Sequence, residues 1–189
     1  MIKAQTKALL SNEALAEQVA GGDADAFAAL AQRLGPKLAA FAAKVVLDAA
    51  LGEDMVQDAF LKYWRQPDRY DPGKAKFSTW MHKVVFNRCL DAKRRKQPQP
   101  LEDGFDQADD AVLADTALID AQRDAQIRGA IDALPERQRA ALLLCHMEGV
   151  SNQDAADILE VKVKALESLL SRARANLKTA LTPLKEDLL

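Results

Sequence analysis

The chain has 189 residues, of which 49% are hydrophobic, 29% charged and only 5% aromatic, and its formal net charge is −2. This is the composition of a globular rather than a disordered chain; abundant alanine and leucine with little glycine or proline favours helices over sheet. No apolar run approaches the roughly 20 residues that a membrane span needs.

The N-terminus "MIKAQTKALLSNEAL" lacks a signal-peptide core and cleavage site. Cys89 and Cys145 stand apart without a CxxC pattern, as reduced core residues among apolar neighbours. The expected location is the cytoplasm.

The first helix is expected over Leu10–Ala20, ending at Gly21-Gly22. A second runs from Ala24 to Ala49, either continuous or broken at Gly35-Pro36, and a third from Glu53 to Arg65, stopping before Pro67. After the turn-rich loop "QPDRYDPGKAKF", a fourth helix opens at Ser78 or Thr79 as N-cap and continues to Lys96.

Residues 97–115, "QPQPLEDGFDQADDAVLAD", have no helical apolar period and read as a flexible acidic linker. Four further helices follow: Asp115–Leu134 before Pro135, Glu136–Met147 before Gly149, a short helix capped by Ser151 and running to Leu159, and Val163–Leu181. Ser151 with Asp154 forms the capping-box pattern. The fold class is all-α, with two small helical domains, 1–96 and 116–189, the second containing a helix-turn-helix.

Charge is distributed along the same division. Residues 1–96 carry 16 basic and 11 acidic groups, residues 97–122 none and 7, and residues 123–189 10 of each. A basic first part is joined to a neutral last part by an acidic connector.

The positive charge peaks in "KAKFSTWMHKVVFNRCLDAKRRK", Lys74 to Lys96, which holds eight Lys or Arg, one acid and the aromatics Phe77, Trp80 and Phe86. Trp80, Met81, Val84, Val85, Cys89 and Ala92 recur at helical spacing as an apolar face. Lys83, Asn87, Asp91 and Arg94 follow the opposite stripe, with Arg88 and Arg95 beside them. This is either a core helix with a solvated basic back or a nucleic-acid surface. Lys and Arg neutralise phosphates while exposed rings stack on unpaired bases, a pairing suited to single-stranded DNA.

In "SNQDAADILEVKVKALESLLSRAR", a capped short helix, a tight break and a longer helix have helix-turn-helix spacing. Lys164, Ser168, Ser171 and Arg172 fall opposite the apolar side of the longer helix, with Glu167 on its flank. Such residues can reach base edges in a major groove. An ordinary helical hairpin remains the alternative.

Three segments taken together, "LGEDMVQDAFLKYWR", "FSTWMHKVVFNRCLDAKRR" and "LPERQRAALLLCHMEGVSNQDAADILEVKVKALESLLSRARANL", resemble the second and fourth regions of bacterial RNA polymerase sigma factors. The form is the small extracytoplasmic-function class, and the resemblance covers residues 12–96 and 118–181 in order.

The resemblance implies docking on core RNA polymerase through Asp54, Gln57, Asp58 and Leu61, with Phe60 and Trp64 turned toward the protein core. It implies melting and reading of the minus-ten element on the non-template strand by Lys74, Lys76, Phe77, Lys83, Asn87, Arg88 and Arg94, with Asn87 near the flipped base. For the minus-thirty-five duplex it implies Ser151, Lys164, Glu167, Ser168, Ser171 and Arg172. The partners implied are core polymerase, promoter DNA and an anti-sigma factor that is often membrane-anchored and holds the protein at the inner membrane face. No cofactor, metal or small-molecule substrate is implied. A stress or metal response is the expected setting.

The chain departs from the family pattern in its recognition helix, where Glu167 and Leu169 replace residues that usually include positive charge, and in the turn, where Glu160 replaces the usual glycine. Two other readings compete: a stand-alone helix-turn-helix regulator, and a sigma mimic that titrates an anti-sigma factor. An enzyme is disfavoured, since the sequence offers no phosphate loop, metal cluster or nucleophile paired with a His. His82 is expected at the surface and His146 part-buried.

Overall fold

The computed structural model describes residue 7, residues 9–96 and residues 116–182, and among them every regular element is helical. The expected linker, 97–115, lies outside the described residues. No described helix is long and apolar enough to cross a membrane.

Helix α1, Asn12–Ala20, starts where the Ser11 hydroxyl accepts from the Ala14 amide at 3.1 Å. Gly22, at φ 85°, turns the chain into α2, Ala24–Val46, which Asp23 caps. Of the two alternatives at Gly35-Pro36, the helix is continuous. Pro36 sits on the exposed side, where a missing amide can be tolerated, while Leu34 and Leu38 stay buried across it.

The chain turns instead at Leu47, in the left-handed region at φ 59°, and Asp48 caps α3, Ala49–Arg65, by accepting from the Leu51 amide at 3.0 Å. The third helix therefore starts four residues before the expected Glu53. Gly52 belongs inside it: α2 and α3 pack so closely that a Cβ there would lie 2.5 Å from the Ala43 nitrogen.

After a 3₁₀ turn at Pro67–Arg69 comes α4, Phe77–Lys96. It is not capped by Ser78 or Thr79, which lie within its first turn. The Phe77 amide donates to the Glu13 carboxylate of α1 at 3.1 Å, so a distant acid occupies the positive helix end. Leu15, Leu30, Leu38, Phe41, Tyr63, Phe77, Met81, Val85, Phe86 and Cys89 form the core that α1–α4 surround.

In the second domain, α5 spans Thr116–Asp132 and α6 Glu136–Leu142. The chain then widens into one π turn, Leu143–Met147, with Glu148 donating to the Leu143 carbonyl at 3.0 Å, where an unbroken helix was expected. Helix α7, Asn152–Ile158, and α8, Val163–Leu181, form the helix-turn-helix around Ala155, Ile158, Leu166 and Leu170. Ser151 caps α7 as expected, accepting from the Asp154 amide at 3.1 Å and donating to its carboxylate at 2.7 Å.

The two domains pack against each other, and one apolar cluster runs from Leu15 through Cys89 to Leu170. Arg139, only 2% exposed, donates to the carbonyls of Asp132 at 2.7 Å and Leu134 at 2.8 Å, and across the interface to Val45 at 2.9 Å. One guanidinium thus satisfies carbonyls at the C-terminal ends of α2 and α5, which helix geometry leaves orphaned.

Candidate nucleic-acid and polymerase interfaces

On α3, Asp54, Gln57, Asp58 and Leu61 succeed one another at steps of three, one and three residues and are all exposed. The opposite face buries Val56, Ala59, Phe60 and Tyr63, which fixes the rotation of the stripe. Leu61 is 48% exposed and Trp64 37%, with the Trp64 ring against Phe27 at 5.1 Å. Phe60 turns inward as expected, while Trp64 stays at the rim of the stripe and extends it with apolar surface. Asp58 also meets Arg88 of α4 at 3.6 Å, tying this stripe to the basic helix.

The basic stripe of α4 is partly open. Lys83, Asn87 and Arg88 are half-buried, and Arg94 is exposed. Lys74 and Lys76 are exposed on the preceding loop, where Lys74 pairs with Asp71 at 3.0 Å. Lys74 and the Gly73 amide hold the Asp71 carboxyl below its ordinary range.

Phe77 has to be removed from the set. It is fully buried, with its ring 5.0 Å from those of Tyr63 and Tyr70, and cannot meet a base. Phe86, at 1% exposure, is equally unavailable. The apolar period of the helix runs through both rings, because packing takes them before solvent can.

Trp80 is the aromatic that remains accessible. It walls a cleft of about 350 Å³ between α3 and α4, together with Ala59, Lys62, Tyr63, Gln66, Arg69 and Val84. An indole beside Lys62 and Arg69 combines a stacking surface with cations for a phosphate.

The histidines exchange places relative to expectation: His82 is 7% exposed and His146 is exposed. His82 donates from Nδ1 to the Ser78 carbonyl at 2.8 Å and packs on Phe41, and burial pulls its pKa down, favouring the neutral ring. His146 Nε2 lies 3.2 Å from Arg174, at the surface. Cys89 is buried and its thiol is pushed up to about 12 by burial, whereas Cys145 is only partly covered.

On α8, Lys164, Glu167, Ser168, Ser171 and Arg172 are all exposed, while Leu166, Leu170 and Ala173 are buried behind them. Leu169 is half-buried against the core, which accounts for an apolar residue at that position. Glu167 makes no ion pair with Lys164 or Arg174 among the described residues and is free to face a ligand. Ser151 is exposed, but its hydroxyl is engaged on both sides by the α7 cap.

Sequence reasoning missed Arg139 and the backbone of Glu160. An arginine after "LPERQ" looks like any solvated charge, and its burial depends on carbonyls from two other helices. The turn residue Glu160 has φ 54°, a conformation for which the missing glycine was the available signal.

The sequence pattern described as Sigma-70 region 2 matches residues 30–99, and that described as Sigma-70, region 4 matches residues 124–177. The ECF RNA polymerase sigma factor SigM of Mycobacterium tuberculosis is 36% identical over 170 residues, spanning 87% of this chain and 81% of that protein. The solved structure of CnrH in complex with the cytosolic domain of CnrY superposes with a TM-score of 0.67 at 28% identity, covering 91% of this chain and 97% of that one. The sigma factor RpoE, in complex with the anti-sigma factor NepR from Bartonella quintana, gives 0.61 at 25% identity, covering 80% and 94%. With both regions present in order on an all-helical fold, the chain belongs to the ECF class of the sigma-70 family, the factors that bind core RNA polymerase and direct it to promoters.

Proposed function

We propose that the chain divides into a region 2 domain at 1–96, a linker at 97–115 and a region 4 domain at 116–189, and that three surfaces share the work of initiation. Asp54, Gln57, Asp58 and Leu61 dock on core polymerase, with Trp64 enlarging the apolar part of the contact. Lys74, Lys76, Lys83, Asn87, Arg88 and Arg94 attract the melted non-template strand of the minus-ten element, with Trp80 in place of Phe77 as the stacking ring. Lys164, Glu167, Ser168, Ser171 and Arg172 present the side chains of α8 to the minus-thirty-five major groove.

The observation that carries this reading is the conjunction on α4 of a cation stripe, a central amide and one accessible indole beside a cleft. Cations alone bind any duplex, whereas an amide and a ring at the same place favour an unpaired base. Both solved neighbours are complexes, one of them with a named anti-sigma factor, which supports control by an anti-sigma factor here. The protein then works in the cytoplasm in a stress or metal response, held at the inner membrane face where its inhibitor is membrane-anchored.

Asn87→Ala tests the minus-ten assignment. Permanganate reactivity of melted thymines should fall more than total promoter retention of the polymerase complex. Equal loss in both would reduce α4 to general phosphate attraction.

A further inference from the structure

Glu160 occupies the turn between α7 and α8 with φ 54°, a left-handed conformation that glycine adopts freely and other residues rarely do. Its carboxylate leaves its own domain and meets Lys83 of α4 at 2.9 Å. Beside it, the Thr79 hydroxyl of α4 donates to the Asp154 carboxylate at 3.4 Å, and further along α4 Lys93 reaches Glu136 of α6 at 3.4 Å. A cleft of about 620 Å³ separates the rest of the two walls, with Arg69, Lys74, Trp80 and Lys83 facing Asp157 and Glu160. Asp71 and Lys162 also line it, and Asp71 is already engaged by Lys74.

From this arrangement we propose that the acidic side of α7 and its turn is a built-in competitor for the minus-ten strand, with Glu160 as the latch on Lys83 that adds to the apolar contact between the domains. The proposal rests on the reading of α4 as the minus-ten surface. Carboxylates at Asp154, Asp157 and Glu160 present to α4 what a phosphate backbone would present, negative oxygens along one edge.

The closed form cannot work on a promoter. Elements near minus ten and minus thirty-five lie about 25 base pairs apart, or about 85 Å at about 3.4 Å per pair. A chain with Lys83 2.9 Å from Glu160 cannot place α4 on one element and α8 on the other. Opening is therefore a required step; it must part the apolar cluster shared by the two domains, and the polar contacts at the rim suit it. The Lys83–Glu160 pair keeps its side chains 41% and 55% exposed, so water can replace the partner on either side. When the domains part, Arg139 gives up Val45 and keeps the Asp132 and Leu134 carbonyls of its own domain. A glycine in the turn would relieve the backbone and lose the latch, which gives the glutamate a reason to be there.

The test uses the full chain at monomeric concentration and zero-length carbodiimide coupling, which joins an amine to a carboxylate only in contact. A Lys83–Glu160 isopeptide should be found by mass spectrometry in the free protein and should disappear with saturating core polymerase and promoter DNA. In parallel, Glu160→Gln and Glu160→Gly should each tighten binding of the free chain to a single-stranded minus-ten oligonucleotide by about two- to fivefold, the range expected for one exposed ion pair. Asp124→Asn, which removes an equal charge from an exposed residue outside the cleft, should not. Absence of the isopeptide in the free monomer overturns the proposal. So does its persistence at full yield in the promoter complex, or an Asp124→Asn effect equal to that of Glu160→Gln. Loss of oligonucleotide binding in every variant, with the isopeptide present, would refute the competitor role while leaving the closed form in place.

Discussion

Two glycine-to-alanine substitutions are expected to move stability in opposite directions, and the reason lies in how α3 is held. At Gly52 a new Cβ would lie 2.5 Å from the Ala43 nitrogen and 2.7 Å from its Cα, both backbone atoms of α2. Ordinary contact between heavy atoms is about 3.5–4.0 Å, so the helices must part locally by roughly 1 Å. Neither neighbour can rotate away, as a flexible side chain could. Overpacking of this kind costs about 1–3 kcal/mol, and the better helix propensity of alanine returns about 1 kcal/mol. With rigid backbone on the far side, the cost falls in the upper part of that range, about 2–3 kcal/mol, so the net loss should be about 1–2 kcal/mol, or roughly 5–15 °C in melting temperature for a domain of this size.

Gly129 on α5 has nothing within 4 Å of the corresponding position. Gly129→Ala should therefore gain about 0.5–1 kcal/mol from propensity alone. Urea and thermal denaturation of both variants and the parent give the comparison. A Gly52→Ala protein as stable as the parent would refute the close approach of α2 and α3, and with it the placement of the docking stripe.

Two further substitutions address the proposed surfaces. Asp54→Lys with Asp58→Lys should weaken core polymerase binding while melting changes little, roughly 0.5 kcal/mol for exposed sites; a large melting drop at unchanged affinity would make these carboxylates structural, Asp58 through Arg88. Glu167→Gln and Glu167→Arg, compared with the parent in selections from a randomised minus-thirty-five library at one salt concentration, should change the preferred base at one or two positions, with about 1–3 kcal/mol at stake. An identical preferred sequence in all three proteins would leave Glu167 as a mere charge near phosphates.

Much of the fold was legible because its signals are local. Ser151 caps the helix that follows it, and the periods of α3 and α8 place their polar stripes outward, whereas the first helix starts at Asn12 behind its Ser11 cap, two residues after the expected Leu10. Some errors are local, as at Asp48, whose cap starts α3 four residues early, but most fall where a distant residue decides. The start of α4 is set by Glu13, 64 residues upstream, so the nearby Ser78 and Thr79 misled the reading. Phe77 looked like a base-stacking ring because its basic neighbours suggested DNA, yet Tyr63 and Tyr70 enclose it. His82 lies on a basic stretch and is nonetheless drawn into the core against Phe41. Pro36 leaves a continuous or a broken helix open in the sequence, and its exposed position lets α2 continue. The contact between domains was invisible in sequence, since Lys83 and Glu160 are remote from each other and nothing local marks them as a pair.

Reconstituted transcription tests the central claim most directly. Core RNA polymerase, the purified full chain and a library of genomic promoter fragments are combined, and the 5′ ends of the transcripts are mapped. The account predicts discrete start sites that require the chain and that share a minus-ten and a minus-thirty-five element at fixed spacing. Initiation no greater than that of core polymerase alone, from a chain that is folded by its melting curve, would contradict it.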